Sequence, residues 1–149
     1  MNEVLRAAVI GSSSSGGWGH NIDELFIGVP GIHTVAVADD MDTGVTQALR
    51  RHRLAQTTRG FLDWRKMLAD IKPDIVAICS RNIQNHAEMA IASAKVGVRG
   101  IFMEKPFVKC VKRSRHDVRN RARIFIMVGI HRTAIIFQFS AITLIRMNG

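Results

Sequence analysis

Short, nearly unbroken apolar runs alternate with helix-period segments along the first hundred residues, and few architectures accept that pattern. Val4–Ile10 (VLRAAVI), Ile32–Ala38 (IHTVAVA), Asp74–Cys79 (DIVAIC) and Val98–Met103 (VRGIFM) are short, apolar and rich in β-branched residues. Each predicts a strand, and the near absence of polar alternation predicts that both faces are covered. Between them, Ile22, Leu25, Phe26 and Val29 recur at helical spacing before Pro30-Gly31. Val45, Ala48 and Leu49 predict a second helix over about 43–54, and Trp64, Met67, Leu68 and Ile71 a third that stops at Lys72-Pro73. Ala87, Ala90, Ile91 and Ala94 mark a fourth, ended by Gly97, and a weak strand falls around Thr57–Gly60. Strand–helix alternation of this kind means βαβ units, so the expected fold is α/β, a doubly wound parallel sheet in a single domain.

Charge divides the chain at Lys109. Residues 1–109 carry 13 Lys/Arg against 11 Asp/Glu, whereas residues 110–149 carry 8 Lys/Arg against Asp117 alone. The net charge of +9 therefore belongs mostly to the last forty residues and is no nucleic-acid footprint of the main domain. The basic stretch CVKRSRHDVRNRAR has no aromatic residue for base stacking, so no nucleic-acid partner is expected. The apolar run that follows, IFIMVGIHRTAIIFQFSAITLI, holds His131 and Arg132 near its middle, which argues against a membrane span. Two cysteines make neither a disulfide scaffold nor a zinc site, and no metal site is expected. MNEVLRAAVIG lacks the pattern of a secretory leader, and the expected location is cytoplasmic.

In a doubly wound sheet, ligands bind at the carboxyl ends of the strands. The loop after the first strand is Gly11-Ser12-Ser13-Ser14-Ser15-Gly16-Gly17-Trp18-Gly19. Small residues at that place let backbone N–H groups approach a pyrophosphate. The loop is not a clean GxGxxG, because Ser13 stands where the simplest spacing places glycine, and no Gly-Lys-Ser/Thr follows to make a Walker loop. At the end of the second strand, Asp39 lies 28 residues after Gly11, with Asp40 beside it. A carboxylate there accepts the hydroxyls of an adenosine ribose and repels a 2′-phosphate, which favours NAD over NADP. Taken alone, Asp39-Asp40 reads as a strand-ending turn; the loop and strand context favour dinucleotide binding.

A lysine at the carboxyl end of a parallel strand, here Lys105 in Met103-Glu104-Lys105-Pro106, faces the cleft where a nicotinamide would lie and could help move a substrate hydroxyl's proton; taken alone, Lys105 reads as a solvated strand-end charge. The order VIG-loop-GH, VAVAD, DIVAIC, NxxxHAEMA and MEKPF resembles the nucleotide-binding half of the glucose–fructose oxidoreductase / inositol dehydrogenase (Gfo/Idh/MocA) family over about residues 5–109. The resemblance implies a Rossmann-like dinucleotide-binding domain at 1–109. It matches Gly11, Gly16 and Gly19 to the family's loop glycines, puts Ser14 in place of another, and makes Ser13 a further cofactor contact. Asp39 matches the ribose acid, and Ser80, Arg81 and His86 fall at the nicotinamide end. For His86 a surface position at a helix start is an equally open reading. Lys105 matches the catalytic lysine, and Glu104 helps to fix it.

Family members are similar to a two-domain enzyme whose second domain supplies most of the substrate pocket; 110–149 is an atypical basic and apolar tail that does not resemble it, although the resemblance puts a sixth strand at about 124–130. The implied function is hydride transfer between NAD and a sugar- or cyclitol-type hydroxyl in the complete enzyme, the substrate being held only if a second domain or chain completes the site. A catalytically inactive nucleotide-binding module and a frameshifted gene fragment stay open as alternatives.

Overall fold

The central strand of the sheet is the first in the chain. In the computed structural model, which describes residues 4–19, 24–51 and 57–103 and the backbone of 104, 125–130 and 133–138, the elements follow one another as expected for βαβ units. They are β1 (Leu5–Ile10), β2 (Ile32–Ala38), α1 (Asp42–Arg51), β3 (Arg59–Phe61), α2 (Trp64–Ile71), β4 (Ile75–Ile78), α3 (His86–Lys95) and β5 (Gly100–Glu104), then β6 (Phe125–Ile130) and β7 (Thr133–Gln138). The strand order is β3-β2-β1-β4-β5-β6-β7. The pairs from β3 through β6 are parallel, and β7 returns antiparallel to β6. This is a Rossmann-like α/β fold.

Period-two alternation explains why the strands read as continuous apolar runs. Along β1, Ala8 and Ile10 enter one core while Ala7 and Val9 enter the other. The first core receives Met67, Leu68 and Ile71 from α2 and Met89 and Ala90 from α3. The second receives Val45 and Ala48 from α1, together with Phe26. α2 starts where the Asp63 carboxylate accepts from the Arg65 amide at 2.8 Å, and it stops at Lys72, whose φ of 47° is left-handed. Among the described residues, no helix is long and apolar enough to cross a membrane.

One predicted element differs. The helix expected from Ile22 to Val29 is, over its described part, a run of turns with Ile27 N–H donating to the Glu24 carbonyl and Val29 N–H to that of Phe26. Ile22 lies outside the described residues. The apolar stripe is not used as a stripe: Phe26 is buried, whereas Leu25, Ile27 and Val29 are exposed, and Gly28 takes a φ of 75°. Without a buried face to stabilise it, so short a helix has too little support.

Met67 is fully buried between α2 and the sheet. Met67→Ala is expected to lower unfolding free energy by about 2–5 kcal/mol in urea titration. Leu62→Ala, at a side chain 60% exposed, should change it by no more than about 0.5 kcal/mol.

Candidate functional site

The chain runs from β1 to β2 and β3 on one side, then crosses back to place β4 on the other side of β1. That reversal opens a crevice at the carboxyl ends of β1 and β4, the usual ligand position in such sheets. The glycine–serine loop fills its floor. Ser13–Ser15 forms a single 3-10 turn, closed by Ser15 and Gly17 amides donating to the Ser12 carbonyl at 3.2 and 2.9 Å. Gly16 follows with φ 97° and is exposed at the tip, a conformation that side-chain-bearing residues rarely adopt.

Two sets of contacts pin this loop. On the β4 side, Gly19 N–H donates to the Cys79 carbonyl at 2.6 Å, Arg81 N–H to that of Gly17 at 3.3 Å, and Trp18 bridges Ser80 in antiparallel fashion. The Trp18 indole lies so close over Gly11 that a Cβ there would collide with its ring atoms, and Arg51 sits 5.5 Å from the ring centroid. Gly11 is thus required by the loop's own packing.

On the β2 side the contacts are made by acids. The Asp39 carboxylate, 2% exposed, accepts from the Ser13 amide on both oxygens at 3.2 and 3.1 Å, and from the Ser13 hydroxyl at 2.9 Å. It also accepts from the Met41 amide at 2.9 Å, an Asx turn that leads β2 into α1. Asp40 is exposed and accepts from the Ser12 and Ser14 hydroxyls, both at 2.6 Å, and from the Ser14 amide at 3.0 Å. Partial burial pushes its carboxyl up, but the hydrogen bonds from Ser12 and Ser14 outweigh that effect and hold it below the usual carboxylate range. Ser13 and Ser14, expected beside a pyrophosphate, are therefore bound to Asp39 and Asp40.

At the other end of the crevice, Ser80 is buried and its hydroxyl accepts from the Asn82 amide at 3.0 Å. His86 opens α3 but has no exposed surface; its Nε2 lies 2.7 Å from the Ser80 carbonyl. The surface reading of His86 is thereby replaced: the ring is a buried brace under the β4 end. Arg81 is exposed beside the loop, its Cβ 3.5 Å from where a Cβ on Gly16 would lie. Glu104 ends β5, one residue beyond the Met103–Ile78 pair, and so stands on the same sheet edge. Its side chain and Lys105 lie outside the described residues.

The residues present fit a dinucleotide: an open glycine tip at the switch point and an exposed, ionised carboxylate at the end of β2. Sequence reasoning passed over Ser12, Trp18 and Gly44. Gly44 carried a signal, since glycine inside a helical pattern marks a close approach; a Cβ there would collide with the Asp39 carboxylate and the Ser13 hydroxyl.

Fold and crevice together define a dinucleotide-binding domain. The sequence matches the oxidoreductase family, NAD-binding Rossmann fold (GFO_IDH_MocA), over residues 5–124. The chain belongs to this Gfo/Idh/MocA family, and the matched residues are its NAD-binding domain. Among solved structures, an oxidoreductase from Agrobacterium radiobacter in complex with NAD+, L-tartaric acid and magnesium is 21% identical with a TM-score of 0.68, over 87% of this chain and 35% of that one. The myo-inositol dehydrogenase from Lactobacillus casei, in complex with NAD(H) and myo-inositol, is 25% identical with a TM-score of 0.67, over 85% and 36%. Levoglucosan dehydrogenase, in complex with NADH and L-sorbose, is 25% identical with a TM-score of 0.63, over 85% and 34%. The chain thus spans about a third of the length of these enzymes. No curated protein sequence matches it significantly.

Two predictions follow from the acid–loop contacts. Gly→Ala in a helix normally gains about 1 kcal/mol. At Gly44 the added methyl meets a carboxylate held by its own hydrogen bonds, so Gly44→Ala should instead cost about 1–3 kcal/mol in denaturant titration. For Asp40, a folded pKa below the unfolded one adds stability that is complete above the usual carboxylate range and is lost as pH falls through the folded pKa. Melting curves of wild type and Asp40→Asn should therefore differ at neutral pH and converge under strong acid.

Proposed function

We propose that this chain binds NAD in preference to NADP and serves hydride transfer between the nicotinamide and a carbon bearing a hydroxyl on a sugar- or cyclitol-type substrate. The observation that carries the reading is the joining of the β1 loop to the acidic end of β2 by Ser13–Asp39 and Ser14–Asp40. Pyrophosphate and ribose positions are thereby held as one unit. Two adjacent carboxyl groups at the ribose end disfavour a 2′-phosphate by like-charge repulsion. Membership of the family supports the cofactor class, and relatives solved with myo-inositol and L-sorbose support the substrate class.

Bound NAD supplies the hydride chemistry. The chain's part is positioning. Gly16 and Gly17 leave room for the pyrophosphate, while His86 sets the Ser80 carbonyl and with it the turn into Arg81 at the nicotinamide end. Lys105, which follows Glu104 in the chain, hydrogen-bonds the substrate hydroxyl and moves its proton, with Glu104 fixing the lysine. A substrate wall from a second domain or chain completes the pocket and excludes water.

Calorimetric titration with NADH should show saturable binding, with NADPH binding more weakly; no binding of either by folded protein would sink the reading. In the completed enzyme, Lys105→Met should leave NADH affinity unchanged and reduce turnover by roughly 10²–10⁴-fold, the range for loss of a general acid–base group.

A further inference from the structure

We propose that the outer edge of β7 pairs antiparallel with the same edge of a second copy of this chain, joining the two sheets into one across a two-fold axis at Ile136.

β7 ends the strand order, and among the described residues it is paired on one side only, to β6. The two edges of the sheet differ. β3 is three residues long, carries an exposed Arg59 and has Gly60 at its centre, features that keep an edge from taking on a further strand. β7 is six residues long, Thr133–Gln138, and its sequence TAIIFQ has no charge, no proline and no glycine. Its β-branched and aromatic residues favour an extended chain, and nothing in that sequence opposes a second ladder.

The register fixes which backbone groups face outward. Only His131 and Arg132 separate Ile130 from Thr133 in the chain, so that closing pair exchanges its own N–H and C=O groups. Bonded and non-bonded pairs then alternate. Ile135 and Phe137 bond across to Val128 and Ile126, whereas Ala134, Ile136 and Gln138 turn N–H and C=O to the open edge. The outward set is symmetric about Ile136. An antiparallel two-fold there sets Ile136 opposite its own counterpart and Ala134 opposite the second copy's Gln138, so every outward donor and acceptor finds a partner. This self-complementarity favours a second copy over an unrelated strand, and it closes the assembly at two chains. The strand is uncharged, so no like charges stand opposite one another. Strands of six residues bury less than a permanent interface does, and the pair therefore forms and parts with concentration.

The test is sedimentation velocity of the 149-residue chain over a series of concentrations, with thermal melting of each variant. Wild type should pass from the mass of one chain to that of two as concentration rises. Ile136→Pro removes an outward donor and leaves the bonds to β6, so it should stay at one chain with the melting temperature of dilute wild type. Ile136→Val keeps the donor and should pair like wild type. If Ile136→Pro does not fold, Ala134→Pro removes another outward donor and should give the same single chain. Wild type that remains one chain at every concentration overturns the assignment. So do growth beyond two chains, a dimer that survives the folded proline variants, and a foreign polypeptide found bound to the chain by native mass spectrometry.

Discussion

The Asp39 carboxylate is the point on which the site depends. It takes a backbone amide from the β1 loop and another from the entry to α1, so one side chain fixes the loop to the end of β2 and β2 to its helix. Its near-complete burial is tolerable because its acceptor positions are filled, and an unsatisfied carboxylate in that place would be strongly disfavoured. Gly44 belongs to the same arrangement, because the carboxylate occupies the volume that any larger residue in α1 would need. The serine content of the loop follows too. A glycine at 13 would keep the amide contact to Asp39 but lose the hydroxyl one, and a glycine at 14 would remove one of the three hydrogen bonds that the loop donates to Asp40.

The opposite wall obeys the same logic with different chemistry. His86 reaches from the first turn of α3 to the carbonyl of Ser80 and couples helix to strand end from beneath. Trp18 covers Gly11 from above and pairs with Ser80 across the crevice. The loop is therefore held between an acidic wall and an aromatic one, and Gly16 remains exposed at its tip.

The sheet was legible in the residues. Each clear strand lies within two residues of its predicted bounds, because a strand covered on both faces must be apolar throughout, and VLRAAVI or DIVAIC admits no helical reading that leaves polar residues on one side. The same reasoning overreached at Ile22–Val29. Helical spacing records only that apolar residues could share a face, and among the described residues of this stretch Phe26 alone found a core to enter. Within the site, the acids and glycines were visible as types and positions, but their partners were not. That Ser13 turns back to Asp39 depends on loop conformation, and that His86 is buried depends on the packing of α3 against β4. Both are tertiary facts, without a trace in local spacing.

The central position of β1 governs the order in which this molecule can assemble. Its two neighbours are β2, close in the chain, and β4, so distant that the Arg6 amide meets the Asp74 carboxylate across 68 positions. Closing a loop of that length costs chain entropy before any contact returns it, and topologies rich in distant parallel pairs fold slowly. Until Ile75–Ile78 has been synthesised, β1 lacks one of its two partners, and one backbone edge of the strand stays unpaired. The nucleotide crevice, which lies between β1 and β4, thus cannot form until β4 has been made, well after the loop that forms its floor.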